Sequence, residues 1–183
     1  MSSDIYPPIE QWLFPEGVWS ATLDGVIPLG TQGLESGAFW LGTRSKLARI
    51  EAVILPSGLG VYEHPYQWRV SPEVFGVITR WSRAQGLTLL GIAHTHIAGV
   101  PVDLSPSDRT RSVQVPGMLA VVIGNGGLDK VFTDWGWFVY ETDDYEIIPR
   151  VNLLSRIRIA EGNHVQVFKA DSSGIVPLNA NDS

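Results

Sequence analysis

The sequence contains no cysteine. That excludes disulfides, thiolate nucleophiles and every zinc site built on sulfur, so any metal must be held by histidine and carboxylate. Histidine is scarce too: His64, His94, His96 and His164 are the whole supply of imidazole. Basic residues are few, 13 Lys and Arg against 19 Asp and Glu, for a net charge of −6. No basic stripe of the kind that tracks a phosphate backbone is present, which argues against nucleic acid as a partner. No apolar run reaches the ~18 residues a membrane helix requires. Residues 1–8 lack both a basic n-region and an apolar core, so they do not read as a signal peptide. The expectation is a cytoplasmic protein without membrane association. Of its 183 residues 44% are hydrophobic, enough for one domain with a proper core and too few for two.

Residues 1–16, rich in proline and polar groups, read as a loosely packed lead-in to a domain over residues 17–170. Residues 171–183 read as a disordered tail. Strands are expected at 17–23, 37–42, 48–55, 87–96, 118–123 and 135–141, from alternation or short apolar runs between glycines. Residues 56–70 form a long connection carrying Tyr62, Tyr66 and Trp68. Ser71-Pro72-Glu73 starts a helix that Gly86 ends, with Val74, Val77, Ile78 and Trp81 at helical spacing. Ser105-Pro106-Ser107-Asp108 repeats that grammar, and Pro116-Gly117 keeps the second helix short. Residues 157–160 and 165–170 read as a terminal hairpin around Gly162-Asn163. The order predicts an α/β (α+β) layered domain around one mixed sheet flanked by helices.

His94 and His96 stand two apart at the end of an expected strand, so both imidazoles point to one face. Asp108 falls in the first turn of a helix that follows a short loop, a place from which its carboxylate can return to the strand end. Two histidines and one carboxylate leave the fourth position of a tetrahedral zinc ion open, the arrangement of catalytic rather than structural zinc. Glu35, immediately before the strand at 37–42, is the candidate proton carrier, and Ser105 the candidate hydroxyl for the water or a developing oxyanion. Ser105 and Asp108 also form a helix-capping pair, and both roles can hold together. His64 reads as a loop residue, with substrate contact as its alternative; His164 falls in an expected turn. The seven Trp are mostly core, with Trp40 and Trp68 near elements that could line a groove. The glycines at 124–127 read as a turn, since no Lys-Ser/Thr and no helix follow.

The set Glu35-Ser36-Gly37-Ala38-Phe39-Trp40-Leu41-Gly42, His94-Thr95-His96 and Ser105-Pro106-Ser107-Asp108 resembles the JAMM (JAB1/MPN/Mov34) metalloprotease family over about residues 17–150. The resemblance implies an MPN/JAB-like fold of the cytidine-deaminase-like layered type. It implies zinc on His94, His96 and Asp108, Glu35 as general acid/base, and Ser105 as stabiliser of the tetrahedral intermediate. The implied activity is peptidase or isopeptidase cleavage at the C-terminal tail of a ubiquitin-like protein or its conjugate. The small single-domain format resembles bacterial members, some of which accompany E1/E2-like partners in conjugation operons, antiphage systems among them. Ile97 stands where the family has proline, and the loop 97–104 is one residue longer than usual. The helix that the family places before its Glu is poorly signalled, because residues 24–34 contain Gly25, Pro28, Gly30 and Gly33. Three alternatives stay open: a non-catalytic scaffold, a peptidase that processes sulfur-carrier proteins, and an enzyme silent until a partner orders the loops at 56–70 and 97–104.

Overall fold

Met118, Ala120 and Val122 face one side of a strand and Leu119, Val121 and Ile123 the other, and all six are buried. A strand apolar on both faces belongs in the middle of a sheet covered twice. The computed structural model describes residues 6–161 and 164–178 and places that strand so. The strands are β1 (Gln11–Pro15), β2 (Gly37–Thr43), β3 (Leu47–Pro56), β4 (Val61–His64), β5 (Gln67–Val70), β6 (Thr88–Thr95), β7 (Leu119–Ile123), β8 (Gly136–Tyr140), β9 (Tyr145–Ile147), β10 (Ile157–Ala160), β11 (Gln166–Asp171) and β12 (Gly174–Pro177). The α-helices are α1 (Gly17–Gly30), α2 (Pro72–Ala84), α3 (Pro106–Arg111) and α4 (Arg150–Arg156).

Eight strands run in the order β10-β1-β3-β2-β6-β7-β8-β9; β11 joins beside β3, and β12 pairs with β11. The sheet is mixed: β6 is parallel to β7 and antiparallel to β2. β1 and β11 share one edge of β3, β1 against residues 47–49 and β11 against residues 52–56. The hairpin β4-β5 stands apart as a two-stranded sheet. The expected α+β class with one mixed sheet and flanking helices is what the chain adopts. Among the described residues no helix is long and apolar enough to cross a membrane.

The two faces carry separate cores. Val18 and Val26 of α1 pack with Trp40, Leu90 and Val121 of the sheet, beside a group of packed aromatics in which Phe14 and Trp19 stack at 4.4 Å. On the other face Val74 and Ile78 of α2 pack with Phe39, Leu41 and Ile54 of the sheet. Each such side chain contributes roughly 1.5–3 kcal/mol by leaving water. Trp40 is therefore core on the face under α1, while Trp68 lines the candidate site on the other face.

Several expectations are corrected. Residues 17–23 are helix, not strand: Val18, Thr22 and Val26 recur every four residues on the buried face of α1. Gly33 lies beyond α1, and the two glycines inside it are close-packing contacts. A Cβ at Gly30 would collide with the Gly126 carbonyl oxygen, and one at Gly25 with the Leu55 side chain. Pro28 lies in the last turns, where its own carbonyl accepts from Thr31 Oγ1 at 3.0 Å and Gln32 Nε2 at 2.7 Å. Residues 11–15 are not a loose lead-in: β1 alternates, and Trp12 and Phe14 are fully buried. Residues 157–160 and 165–170 do not pair with each other. β10 adds to β1 and β11 to β3, both parallel, and Gly162-Asn163 lie outside the described residues. Residues 171–178 are not disordered: Asp171 Oδ1 accepts from the N–H groups of Ser173 and Gly174 and turns the chain into β12.

Candidate metal centre

The site begins with strand register. β2 and β6 run antiparallel with Gly37 opposite His94. The pairing continues beyond β2: the Thr95 N–H donates to the Ser36 carbonyl at 2.9 Å, and the Ser36 N–H donates to Thr95 Oγ1 at 3.0 Å. Glu35 therefore comes opposite His96, on the face that carries both imidazoles. Ser36 Oγ donates to the Val26 carbonyl at 3.2 Å, and Trp40 Nε1 to Thr22 Oγ1 at 3.0 Å, so α1 clamps this strand end from behind. Both backbone groups of His96 are fixed. Its N–H donates to the Ile123 carbonyl at 2.9 Å, and its carbonyl accepts from Gly126 N–H at 2.7 Å, within the turn that follows β7.

Asp108 arrives from α3. Ser105 is the N-cap and makes a reciprocal box: its Oγ accepts from Asp108 N–H at 3.1 Å, and Asp108 Oδ2 accepts from Ser105 N–H at 2.8 Å. Arg109 ties the helix down, donating to the Tyr145 carbonyl at 2.7 Å. Tyr145 OH donates to the Val113 carbonyl at 2.8 Å. Leu104 is buried just before the cap, beside Met118 and Phe138.

His94 Nε2 lies 3.2 Å from His96 Nε2, and Asp108 Oδ2 lies 3.6 Å from the first and 3.7 Å from the second. Tetrahedral zinc with bonds of about 2.0–2.1 Å separates its ligand atoms by about 3.3 Å, so the triangle has the dimensions such an ion needs. His96 Nδ1 stands 2.7 Å from the Pro101 carbonyl oxygen. A carbonyl only accepts, so Nδ1 carries the proton and Nε2 keeps its lone pair for the metal. These three residues form a group that could hold a metal ion.

His94, His96 and Glu35 are buried, and Asp108 is half-buried. Burial pushes the Glu35 carboxyl up to about 7; the His96 charge and the Trp68 backbone N–H pull it down, and the Asp108 charge adds to the rise. Burial would also raise Asp108, but contacts with His94, His96 and Ser105 hold it well below the usual carboxylate range. Burial would lower His96; Asp108, the Pro101 carbonyl and Glu35 outweigh it and leave the imidazole above its ordinary value.

All five sequence-selected residues, Glu35, His94, His96, Ser105 and Asp108, line one cavity of about 440 Å³. His64 contributes its backbone, the carbonyl accepting from Glu35 N–H at 3.0 Å, while its Nδ1 accepts from Tyr66 N–H at 3.3 Å. Sequence reasoning placed Trp68 near a possible groove but missed the rest of the β5 wall and the residues that close α3, Arg111 and Ser112. Alternating residues 61–70 around Pro65-Tyr66 were the available signal for the hairpin. Pro101, whose carbonyl holds His96, left none, since any residue supplies a carbonyl.

No family model and no curated protein matches the chain. Among solved structures the chain is similar to a protein from Desulfitobacterium hafniense determined in solution. The two share 16% identity at a TM-score of 0.58, over 85% of this chain and 95% of that one. A crystal structure of a JAB1/MPN domain protein from Archaeoglobus fulgidus is similar at 10% identity and a TM-score of 0.42, over 82% of this chain and 98% of that one. The likeness to the first is one of fold; at these identities neither speaks to chemistry.

Proposed function

We propose that the protein is a zinc-dependent peptidase or isopeptidase of the JAMM type, acting at the C-terminal tail of a ubiquitin-like protein. The observation that carries the reading is the three-ligand triangle of His94, His96 and Asp108, with the Glu35 carboxyl brought to the same face by strand register. An MPN/JAB-like layering of the sheet and helices belongs to the same proposal. So does a place beside E1/E2-like conjugation enzymes, with antiphage defence as one setting.

His94, His96 and Asp108 would hold a zinc ion, which when bound would acidify a water towards about pH 7 and polarise a carbonyl. Glu35, sheltered from solvent, would accept a proton at its carboxylate and pass it to the leaving amine. Ser105 Oγ already accepts from Asp108 N–H, so its own hydrogen is free to donate to the developing oxyanion. The edge of β5 away from β4 borders the cavity, and an extended tail adds there as a further strand. In the two-residue hairpin, Gln67 pairs with His64, which turns the Trp68 N–H away from β4 and towards the Glu35 carboxyl.

The test is incubation of the zinc-loaded chain with ubiquitin-like fusion proteins, alongside Glu35→Gln and His94→Ala. Cleavage by the wild type alone supports the assignment; equal cleavage by both variants sinks it.

A further inference from the structure

Two cavity-lining residues have no part in the chemistry above. Arg111 lies one helical turn beyond Asp108 on the same face of α3, and Arg69 lies on β5. Both guanidinium groups are exposed, and among the described residues neither meets a carboxylate. Arg69 rests over the Tyr62 ring at 6.0 Å, whereas the adjacent Arg109 is fully engaged with Asp103, Asp144 and Tyr145. Unpaired cations run against the composition, where 19 acidic residues outnumber 13 basic ones. The two acids that line the same cavity, Glu35 and Asp108, face the histidines. With a divalent cation on its ligands, the cavity is a cationic pocket in an anionic protein.

We infer that Arg111, assisted by Arg69, selects an acidic side chain in the substrate segment next to the scissile bond. This rests on the peptidase reading. An acid there forms a charge-assisted, bidentate contact with the Arg111 fork, one turn from the metal ligand. A basic residue at that place meets two like charges and is rejected. Arg111 and Arg69 are specificity residues: they touch the substrate beside the reacting bond and move no proton.

The test uses the zinc-loaded full chain and hexapeptide coumarin amides of one Ala/Gly base sequence, with Glu, Gln or Arg placed in turn at each of the four positions before the amide. At one position Glu should raise kcat/KM about tenfold over Gln, and Arg should lower it. Arg111→Gln should remove most of that preference, bringing kcat/KM for the Glu peptide down towards that for the Gln peptide; Arg111→Glu should invert it. Arg69→Gln should reduce it in part, and added salt should shrink it in the wild type. A binding arm reads fluorescence polarisation of labelled Glu and Gln peptides on zinc-loaded Glu35→Gln protein. Equal cleavage and equal binding of all peptides overturn the selection while the peptidase reading stands. No cleavage, with Arg111-dependent tighter binding of the Glu peptide, keeps the selection and sinks the peptidase reading. No cleavage with equal binding overturns both.

Discussion

Ser105 and Asp108 hold each other by two reciprocal hydrogen bonds, and the Asp108 oxygen that accepts from Ser105 N–H at 2.8 Å is also the one facing both histidines. One oxygen thus serves the helix cap and the candidate metal site. The cap fixes the carboxylate before any ion arrives.

Replacing Ser105 with Ala should therefore do two things. It should cost about 0.5–2 kcal/mol of stability through the lost cap. It should also weaken zinc affinity, read by competition with a chromophoric chelator, because the carboxylate is less well held. Ser105→Thr keeps an oxygen at the cap and should recover both.

Glu35 leads to a prediction about pH in the zinc-free protein. Its carboxyl, 4.5 when unperturbed, stands at about 7 in the fold, chiefly through burial. The folded state holds the proton longer than the unfolded one. The contribution of this carboxyl to stability is therefore full below about pH 4.5 and is lost as pH rises towards about 7. Glu35→Gln does not titrate, so its stability advantage over wild type should grow across that window to at most about 3 kcal/mol and then level off. Urea denaturation at stepped pH checks the sign; an advantage that shrinks with rising pH contradicts it.

Gly37 lies opposite His94, and a Cβ there would come within 2.6 Å of the Ala93 carbonyl oxygen and 2.7 Å of the Trp68 ring. Gly37→Ala should force β2 from β6 at the point where the imidazoles are aimed. The expected cost is about 1–3 kcal/mol, with zinc affinity reduced although no ligand has changed. Paired melting and zinc-competition curves separate this from a simple loss of stability.

Zinc should stabilise the fold by mass action. With free zinc about a hundredfold above its Kd, the gain is about 2.7 kcal/mol, a rise in Tm of roughly 5–10 °C for a chain of this size. His96→Ala should melt at the same temperature with and without zinc.

Much of the candidate site was legible because its residues sit in short local patterns. Histidines two apart on a strand must share a face, and Ser105 to Asp108 announces a helix start in four residues. The elements that were misread depend on distant partners. Whether β10 and β11 pair with each other or with β1 and β3 is decided by edges more than a hundred residues away, and a parallel neighbour leaves no turn signature. α1 was hidden by Gly25, Pro28 and Gly30; the helix keeps the two glycines because Leu55 presses against the first and Gly126 against the second. β1 carries its own signal, Trp12 and Phe14 alternating, but it is only five residues long and directly follows a proline-rich stretch.

The zinc content of the purified chain, measured by elemental analysis after zinc loading and gel filtration, tests the central claim most directly. The account expects one zinc per chain in the wild type and none in His94→Ala or Asp108→Ala. A folded wild-type chain that retains no zinc would contradict it.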